Sequence, residues 1–123
     1  VICNDSFWVH LASALGSPTV AIWGLGHWLR FTPRQGNVTV VHIEMLCAQC
    51  NWLCAFPSRR CLIDIPVDAI AAASTARLSE KGRTSGIQYL STASPLAAPV
   101  IRDALYQQAR KSETVVHKCN LLQ

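Results

Sequence analysis

The sequence predicts an α/β fold of parallel strands with flanking helices, and its first 23 residues supply the observations behind that prediction. Residues 1–3 and 19–23 are short apolar runs rich in β-branched residues, as expected for strands buried on both faces. Residues 7–15 between them are mostly apolar, with good helix-capping residues before them and Gly16 and Pro18 after them. Strand, helix and strand with short connections form a βαβ unit, whose two strands are parallel.

Composition supports one folded domain and argues against several other classes of protein. The chain has 123 residues, of which 50% are hydrophobic and 15% are charged, enough for a modest core. The net charge of +4, from 11 Lys and Arg against 7 Asp and Glu, suits a phosphate-bearing ligand. The basic residues are too scattered to predict nucleic-acid binding. Neither a membrane-spanning run nor a secretion signal is present, so we expect a cytoplasmic location, compatible with peripheral attachment to a membrane.

The connection between the first strand and the first helix is the leading candidate for a binding site. Asp5 and Ser6 follow a predicted parallel strand, and ligands bind at that end of open sheets. They also precede a helix, whose unpaired N–H groups, here those of Phe7 and Trp8, favour anions. His10 lies one turn beyond Ser6 on the same helix face. The same pattern also fits a simple helix cap beside a partly buried histidine.

The loop after the second strand, residues 24–37, begins at the same edge of the predicted sheet. His27 and Arg30 are its candidate ligand-facing groups, although an ordinary solvent-exposed loop would also explain them. Residues 37–43 follow as a third strand, because apolar and β-branched residues alternate there.

The second half of the chain predicts two helices separated by a linker. Residues 65–80 carry apolar side chains at helical spacing, with Pro66 in the first turn. Residues 81–94 are interpreted as a linker, since they begin with a Gly- and Ser-containing stretch. The pattern of residues 95–111 predicts a terminal helix. The remaining residues, to residue 123, are expected to form a loosely ordered tail.

Four cysteines fall within fifteen residues of one another. Four thiolates at this spacing could bind a tetrahedral metal ion, for which zinc is the default and iron has the same geometry. The neighbouring arginines, Arg59 and Arg60, would lower thiol pKa values. Free buried thiols and disulfides are the alternatives. The four residues are Cys47, Cys50, Cys54 and Cys61.

The order and spacing of these motifs resemble glycosyltransferase family 9, the ADP-heptose heptosyltransferase-like enzymes. The resemblance covers about the first two thirds of the chain, and Phe7 departs from it because the family usually has glycine there. The matching motifs are Asn4-Asp5-Ser6, His10-Leu11-Ala12-Ser13-Ala14-Leu15-Gly16, Pro18, Val20-Ala21-Ile22, Gly24, Gly26-His27-Trp28-x-Arg30-Phe31-x-Pro33, and the cysteine-bearing segment of one subgroup.

The resemblance implies a function and a domain organisation. Residues 1–80 would be the C-terminal part of the Rossmann-like donor domain of a GT-B fold, with a cysteine-rich segment at 47–61. The site would bind the diphosphate of a nucleotide sugar through Asp5, Ser6, Phe7, Trp8, His10 and His27. The acceptor domain and the catalytic base would lie upstream of a C-terminal fragment that is inactive alone. Some relatives hold iron in a four-cysteine finger. A small metal-stabilised binding module and a degenerate, non-catalytic relative remain the alternatives.

Overall fold

A computed structural model describes residues 1–24, 28–47, 50, 53–79, 86–96, 99–100 and 102–108. Its described elements comprise four strands and four helices, and residues 102–108 are also helical. In chain order the elements are β1 (Ile2–Asn4), α1 (Phe7–Ala14), β2 (Thr19–Ile22), α2 (Trp28–Phe31), β3 (Asn37–Glu44), α3 (Arg60–Ile63), α4 (Val67–Ser79) and β4 (Gly86–Ala93).

The four strands form one sheet in the order β1-β2-β3-β4, and every neighbouring pair is parallel. The register aligns Ile2 with Val20, and Val20 with Thr39. The predicted α/β class with parallel strands is therefore confirmed. Because the strands are parallel, the loops that follow them emerge at one common edge of the sheet.

Helices cover both faces of the sheet, as a parallel sheet requires. On one face, alternate strand residues Val20, Val41 and Ile43 pack with Ile65 and with Ala73 of α4. A second buried cluster lies on the other face and contains Val9 of α1. Its buried members are Val9, Ala21, Trp23, Val38 and Val40. The two central strands carry both clusters, and seven of the eight residues of β3 are buried.

The end of α1 uses the turn that its sequence predicts. Gly16 has a φ of 66°, its N–H donates to the Ser13 carbonyl at 3.0 Å, and the Ser17 N–H donates to the Ala12 carbonyl at 2.9 Å. This pair of hydrogen bonds is the Schellman motif, which satisfies carbonyls that a helix end leaves unpaired. The motif turns the chain directly into β2.

The main departure from the sequence interpretation lies in residues 81–94, which were interpreted as a linker. Residues 86–93 of that stretch form β4, which pairs with β3 along its whole length. Two short helices also depart from the prediction, since α2 lies in the predicted loop 24–37 and α3 lies where the sequence predicts no helix. The strands β1, β2 and β3 and helix α1 agree to within a few residues, α4 lies within 65–80, and helical residues 99–100 and 102–108 lie within 95–111. Among the described residues, no helix is long and apolar enough to cross a membrane.

Candidate functional site

The loop that joins β1 to α1 lies at the carboxyl edge of the parallel sheet. The Asp5 N–H donates to the Ile22 carbonyl at 3.2 Å, which extends the β1–β2 pairing by one residue into the loop. Ser6 then has extended backbone angles, with φ at −165° and ψ at 175°, and the helix begins at Phe7. The N–H groups of the first turn of α1 are therefore directed towards the edge where the sequence predicts a ligand.

The Ser6 hydroxyl does not cap this helix. Its side chain makes no capping hydrogen bond, and Oγ instead donates to the carbonyl of exposed Asn4 at 3.2 Å. A serine at an N-cap ordinarily accepts a hydrogen bond from the N–H two or three residues ahead. The Val9 N–H donates to the Ser6 carbonyl at 3.3 Å, whereas the N–H groups of Phe7 and Trp8 receive no side-chain cap from Ser6, which is the condition that an anion site requires.

Asp5 and His10 interact across the first turn of α1. Asp5 is half-buried, and burial raises the pKa of its carboxyl group, while the charge of His10 acts in the opposite direction. His10 is exposed. The imidazole of His10 therefore lies within electrostatic range of the Asp5 carboxyl group.

Phe7 and Trp8 extend from the loop into solvent. Phe7 is 68% exposed and Trp8 is 61% exposed. Their rings pack edge to face, with centroids 5.7 Å apart and planes inclined by 65°. Neither ring is therefore part of the hydrophobic core.

The connection from β2 to β3 holds α1 in place. The Ser13 hydroxyl donates to the Gln35 carbonyl, and Gly36 follows with a φ of 106°. A Cβ atom on Gly36 would lie 2.8 Å from the Ser13 carbonyl oxygen and 3.0 Å from its Cα. Glycine is therefore required here, both by the backbone conformation and by the close approach to α1. No sequence motif indicated this contact.

Of the two predicted ligand groups in this connection, the structure describes only one. His27 lies outside the described residues. Arg30 is exposed at the end of α2, and its guanidinium lies over the Phe31 ring at 5.6 Å from the centroid. Arg30 thus contacts an aromatic face, an interaction that its position next to Phe31 permits.

The four predicted metal-ligating cysteines lie in one neighbourhood of the fold. All four are free thiols, and Cys47 and Cys61 pack against the cluster that contains Ile43. Burial raises the pKa of the Cys47 thiol, and the thiols of Cys50, Cys61 and Cys54 raise it further. Cys47 therefore lies within electrostatic range of each of the other three thiols.

The geometry around the cysteines is not that of an assembled metal site. Among the described residues, no three Cys, His, Asp or Glu side chains are grouped closely enough to hold an ion. The Cys54 Sγ donates to the Ser58 carbonyl at 3.7 Å. The expectation that the arginines lower a thiol pKa is wrong at Cys47, because burial dominates there. Arg60 instead pairs with Asp64, with Nε and Oδ2 separated by 2.8 Å.

The sequence did not anticipate how the end of the chain supports the cysteine segment. The side-chain amide of Gln108 donates to the Leu53 carbonyl at 2.6 Å. Leu96 and Leu105 pack against the same cluster as Cys47 and Cys61. Described residues of the cysteine segment therefore contact both the sheet and the C-terminal helical residues.

The fold and the loop geometry define an α/β protein whose candidate ligand site lies at the carboxyl edge of a parallel sheet, beside a helix N-terminus. Residues 1–55 match the family model described as glycosyltransferase family 9 (heptosyltransferase). This part of the chain, which contains β1, α1, β2, α2 and β3, is therefore similar to that family. No curated protein and no solved structure matches the chain.

Proposed function

We propose that the β1–α1 loop binds the diphosphate of a nucleotide-sugar donor. The chain would then be the donor-binding portion of a glycosyltransferase that moves heptose or a related sugar to a glycan or another acceptor. The observation that carries this proposal is the position of the loop, at the carboxyl edge of a parallel sheet and inside the segment that matches family 9. The uncapped first turn of α1 gives the loop the hydrogen-bond donors that a diphosphate needs.

Each residue of the loop has a distinct role in this proposal. The backbone N–H groups of Phe7 and Trp8 donate to phosphate oxygens, and the Ser6 hydroxyl rotates from the Asn4 carbonyl to add a third donor. His10 supplies positive charge when protonated, and Asp5 holds the loop against β2 through its N–H. Together these groups stabilise the leaving diphosphate by position and electrostatics rather than by covalent chemistry.

The family match also supports a division of labour between two domains. We assign no catalytic residue to this chain, and we place the acceptor site and the catalytic base in a separate acceptor domain. Sugar transfer by the 123-residue chain alone would contradict this division. ADP binding by the same chain is expected to persist, because the proposed diphosphate ligands, which are Asp5, Ser6, Phe7, Trp8, His10 and His27, all lie within it.

Titration of the 123-residue chain with ADP, followed by isothermal calorimetry, tests the donor site. Ser6→Ala removes one hydrogen bond to a charged group and should weaken binding by about tenfold. Ser17→Ala is the matched control, because Ser17 lies at the opposite end of α1, and it should leave the dissociation constant unchanged. Equal affinity in the wild type and Ser6→Ala would remove Ser6 from the site.

The same titration tests whether Phe7 has disabled the site. Because the Phe7 side chain is exposed and packs against no core residue, Phe7→Gly should change ADP affinity by little more than the added backbone freedom. If the wild type does not bind ADP and Phe7→Gly does, the chain is a degenerate relative in which Phe7 blocks the diphosphate. If neither binds ADP, the donor-site proposal is wrong.

We further propose that Cys47, Cys50, Cys54 and Cys61 hold one zinc or iron ion as a structural centre. The effect of the other three thiols on Cys47 supports this, because thiolates that repel one another are stabilised by a shared cation. Four sulfur ligands leave no open coordination position, so the ion would stabilise the fold rather than take part in sugar transfer.

Metal content, measured by mass spectrometry on chain purified without added metal or chelator, tests this centre. About one zinc or iron per chain is expected, with four of the six cysteines protected from a thiol reagent. Cys54→Ser should lose the metal, whereas Cys3→Ser, in β1, should keep it. A metal-free wild type with six reactive thiols after unfolding would exclude the centre.

A further inference from the structure

The outer edge of β4 is a long row of backbone hydrogen-bonding groups. β4 pairs with β3 through all eight of its residues, and no strand of the described sheet lies on its other side. The Gly86 N–H donates to the Gly36 carbonyl at 2.7 Å, so the backbone groups of Gly86 face β3. Successive residues of a strand direct their backbone groups to opposite sides. The residues whose backbone groups face outward are therefore Ile87, Tyr89, Ser91 and Ala93.

The side chains of β4 do not protect this edge. Natural edge strands are usually short, charged, bulged or interrupted by proline, and each of these features prevents pairing with another chain. Residues 86–93 contain no Asp, Glu, Lys, Arg or Pro, and their pairing with β3 has no bulge. At the opposite edge of the described sheet, β1 is only three residues long. Of the two edges, β4 is therefore the one suited to receive another strand.

The two longer helices that the structure describes are set back from β4. α1 packs over β1, β2 and β3, and α4 packs over β2 and β3. Residues 88–91 are consequently exposed, although they lie in the middle of a strand. On the α4 face, a cavity of about 290 Å³ lies beside β4, and its lining includes Leu90 and the small side chains of Ala72, Ala73 and Ala76. α1 and α4 therefore leave space for another sheet to approach this edge.

We infer that the protein forms a two-fold symmetric dimer, in which the β4 strands of two copies pair antiparallel across this edge. The occupant of an open edge is a strand, because a strand presents donors and acceptors at the matching spacing. A second copy has the same uncovered edge, and contact around a two-fold axis satisfies both edges at once. Each chain carries a net charge of +4, but the uncharged β4 places no like charges opposite each other.

The symmetry determines how the two strands align. A two-fold axis perpendicular to the sheet keeps each side chain on its own face, so residues an even number of positions apart lie opposite each other. An axis at Leu90 pairs Ile87 with Ala93 and Tyr89 with Ser91, which uses every outward-facing residue. An axis at Tyr89 would leave Ala93 beyond the end of the other β4. The first alignment therefore forms more hydrogen bonds, and it brings the two Leu90 side chains together beside the cavity.

Sedimentation velocity of the complete 123-residue chain over a wide range of concentrations, with a thiol reductant present, tests the dimer. The wild type should change from monomer to dimer as its concentration rises. Leu90→Lys places two ammonium groups opposite each other at the axis and should raise the dimer dissociation constant by about tenfold. Leu78→Lys adds the same charge at an exposed position of α4 near Ile2 of β1, and it should leave the constant unchanged. Circular dichroism checks that both variants are folded.

Hydrogen exchange measured by NMR at low and high concentration reports on the edge itself, without any substitution. The N–H groups of Ile87, Tyr89 and Ser91 should exchange more slowly as the dimer forms, because they gain partners across the edge. The N–H groups of Gln88 and Leu90 already face β3, so their exchange should change much less. The contrast between alternate residues of one strand is the expected signature of edge pairing.

Four results would overturn the proposal. The first is a wild type that stays monomeric at every concentration. The second is a dimer that Leu90→Lys leaves intact, or that Leu78→Lys weakens equally, since its interface would lie elsewhere. The third is a species that keeps growing with concentration, which would indicate open-ended strand addition. The fourth is a dilute monomer whose Tyr89 and Ser91 amides are already protected, which would show that another segment of the chain covers β4. ADP binding is measured separately, so failure of the donor site would not affect these tests.

Discussion

Replacing Gly36 with alanine should destabilise the fold more than any other single methyl addition at a described glycine of positive φ. The new Cβ would lie 2.8 Å from the Ser13 carbonyl oxygen and 3.0 Å from the Ser13 Cα, both of which are backbone atoms of α1. To relieve the overlap, α1 and the 35–36 turn must separate by several tenths of an ångström. Overpacking of this kind costs about 1–3 kcal/mol, and the φ of 106° adds about 1–2 kcal/mol for a residue with a side chain.

Gly16→Ala separates these two contributions. Gly16 also has a positive φ, at 66°, but a Cβ there would meet no atom within 4 Å. Gly16→Ala should therefore cost only the conformational term of about 1–2 kcal/mol. Both variants lose similar backbone freedom in the unfolded chain, so the difference between them measures the contact with Ser13.

Urea unfolding followed by circular dichroism and by tryptophan fluorescence provides the assay, with Trp23 as a fully buried reporter. Coincident transitions from the two signals would justify two-state free energies. The reasoning predicts that Gly36→Ala is less stable than Gly16→Ala by about 1–3 kcal/mol. Equal stability, within about 0.5 kcal/mol, would show that α1 can move away at no cost and would refute the close approach.

Two further predictions concern charged groups. Arg77 of α4 is 4% exposed, and it donates hydrogen bonds to the side-chain oxygens of Thr39 and Asn37. Arg77→Met should lower the free energy of unfolding by about 2–4 kcal/mol, because it leaves these buried acceptors without their donors. In the same urea titrations, the control Arg102→Met, at an exposed position, should change this free energy little. Burial raises the pKa of Asp5 in the folded state above its usual 3.8, so the folded protein binds the proton more tightly, and the stability that this contributes is lost as pH rises through the folded pKa. Asp5→Asn should remove that decline and raise stability at neutral pH, and urea midpoints of the two proteins that run parallel from acid to neutral pH would contradict the effect.

The βαβ unit was predictable because its signals are local. The apolar runs around α1, the capping residues before it and Gly16 after it each act within a few residues. The chemistry of the turn at Gly16 follows directly from the freedom of glycine at positive φ. Local patterns alone leave two interpretations of the loop open, an anion site and a simple helix cap. The resemblance to the family motif favours the anion site.

The features that the sequence did not predict depend on distant partners. β4 contains Gln88, Ser91 and Thr92, and its side chains are largely exposed, so its sequence carries little of the alternation that marks a half-buried strand. It is a strand because all eight of its residues pair with β3. Arg77 is buried for a similar reason, since its partners in β3 lie 38 and 40 residues away.

The loop at the candidate donor site shows the limit of local rules. Ser6 is a good N-cap residue by type, yet its hydroxyl donates to the Asn4 carbonyl and does not cap the helix. The Asn4 carbonyl and the first N–H groups of α1 are alternative hydrogen-bond partners for this one side chain. Sequence patterns rank such options but do not choose among them. The thiol pKa of Cys47 is another case, since nearby arginines suggest a lower value and burial produces a higher one.

The order of the strands predicts how fast backbone amide hydrogens exchange in each part of the sheet. Because strand order in the sheet equals strand order in the chain, β2 and β3 lie inside the sheet, whereas β1 and β4 each pair with one neighbour among the described strands. Amide hydrogens of the inner strands should exchange slowest, and those of the outer strands should exchange through small local openings. The β1–α1 loop begins at one of these outer strands and is joined to β2 by the Asp5 N–H. A ligand that fastens this loop would therefore slow exchange along β1 while leaving β4 unaffected.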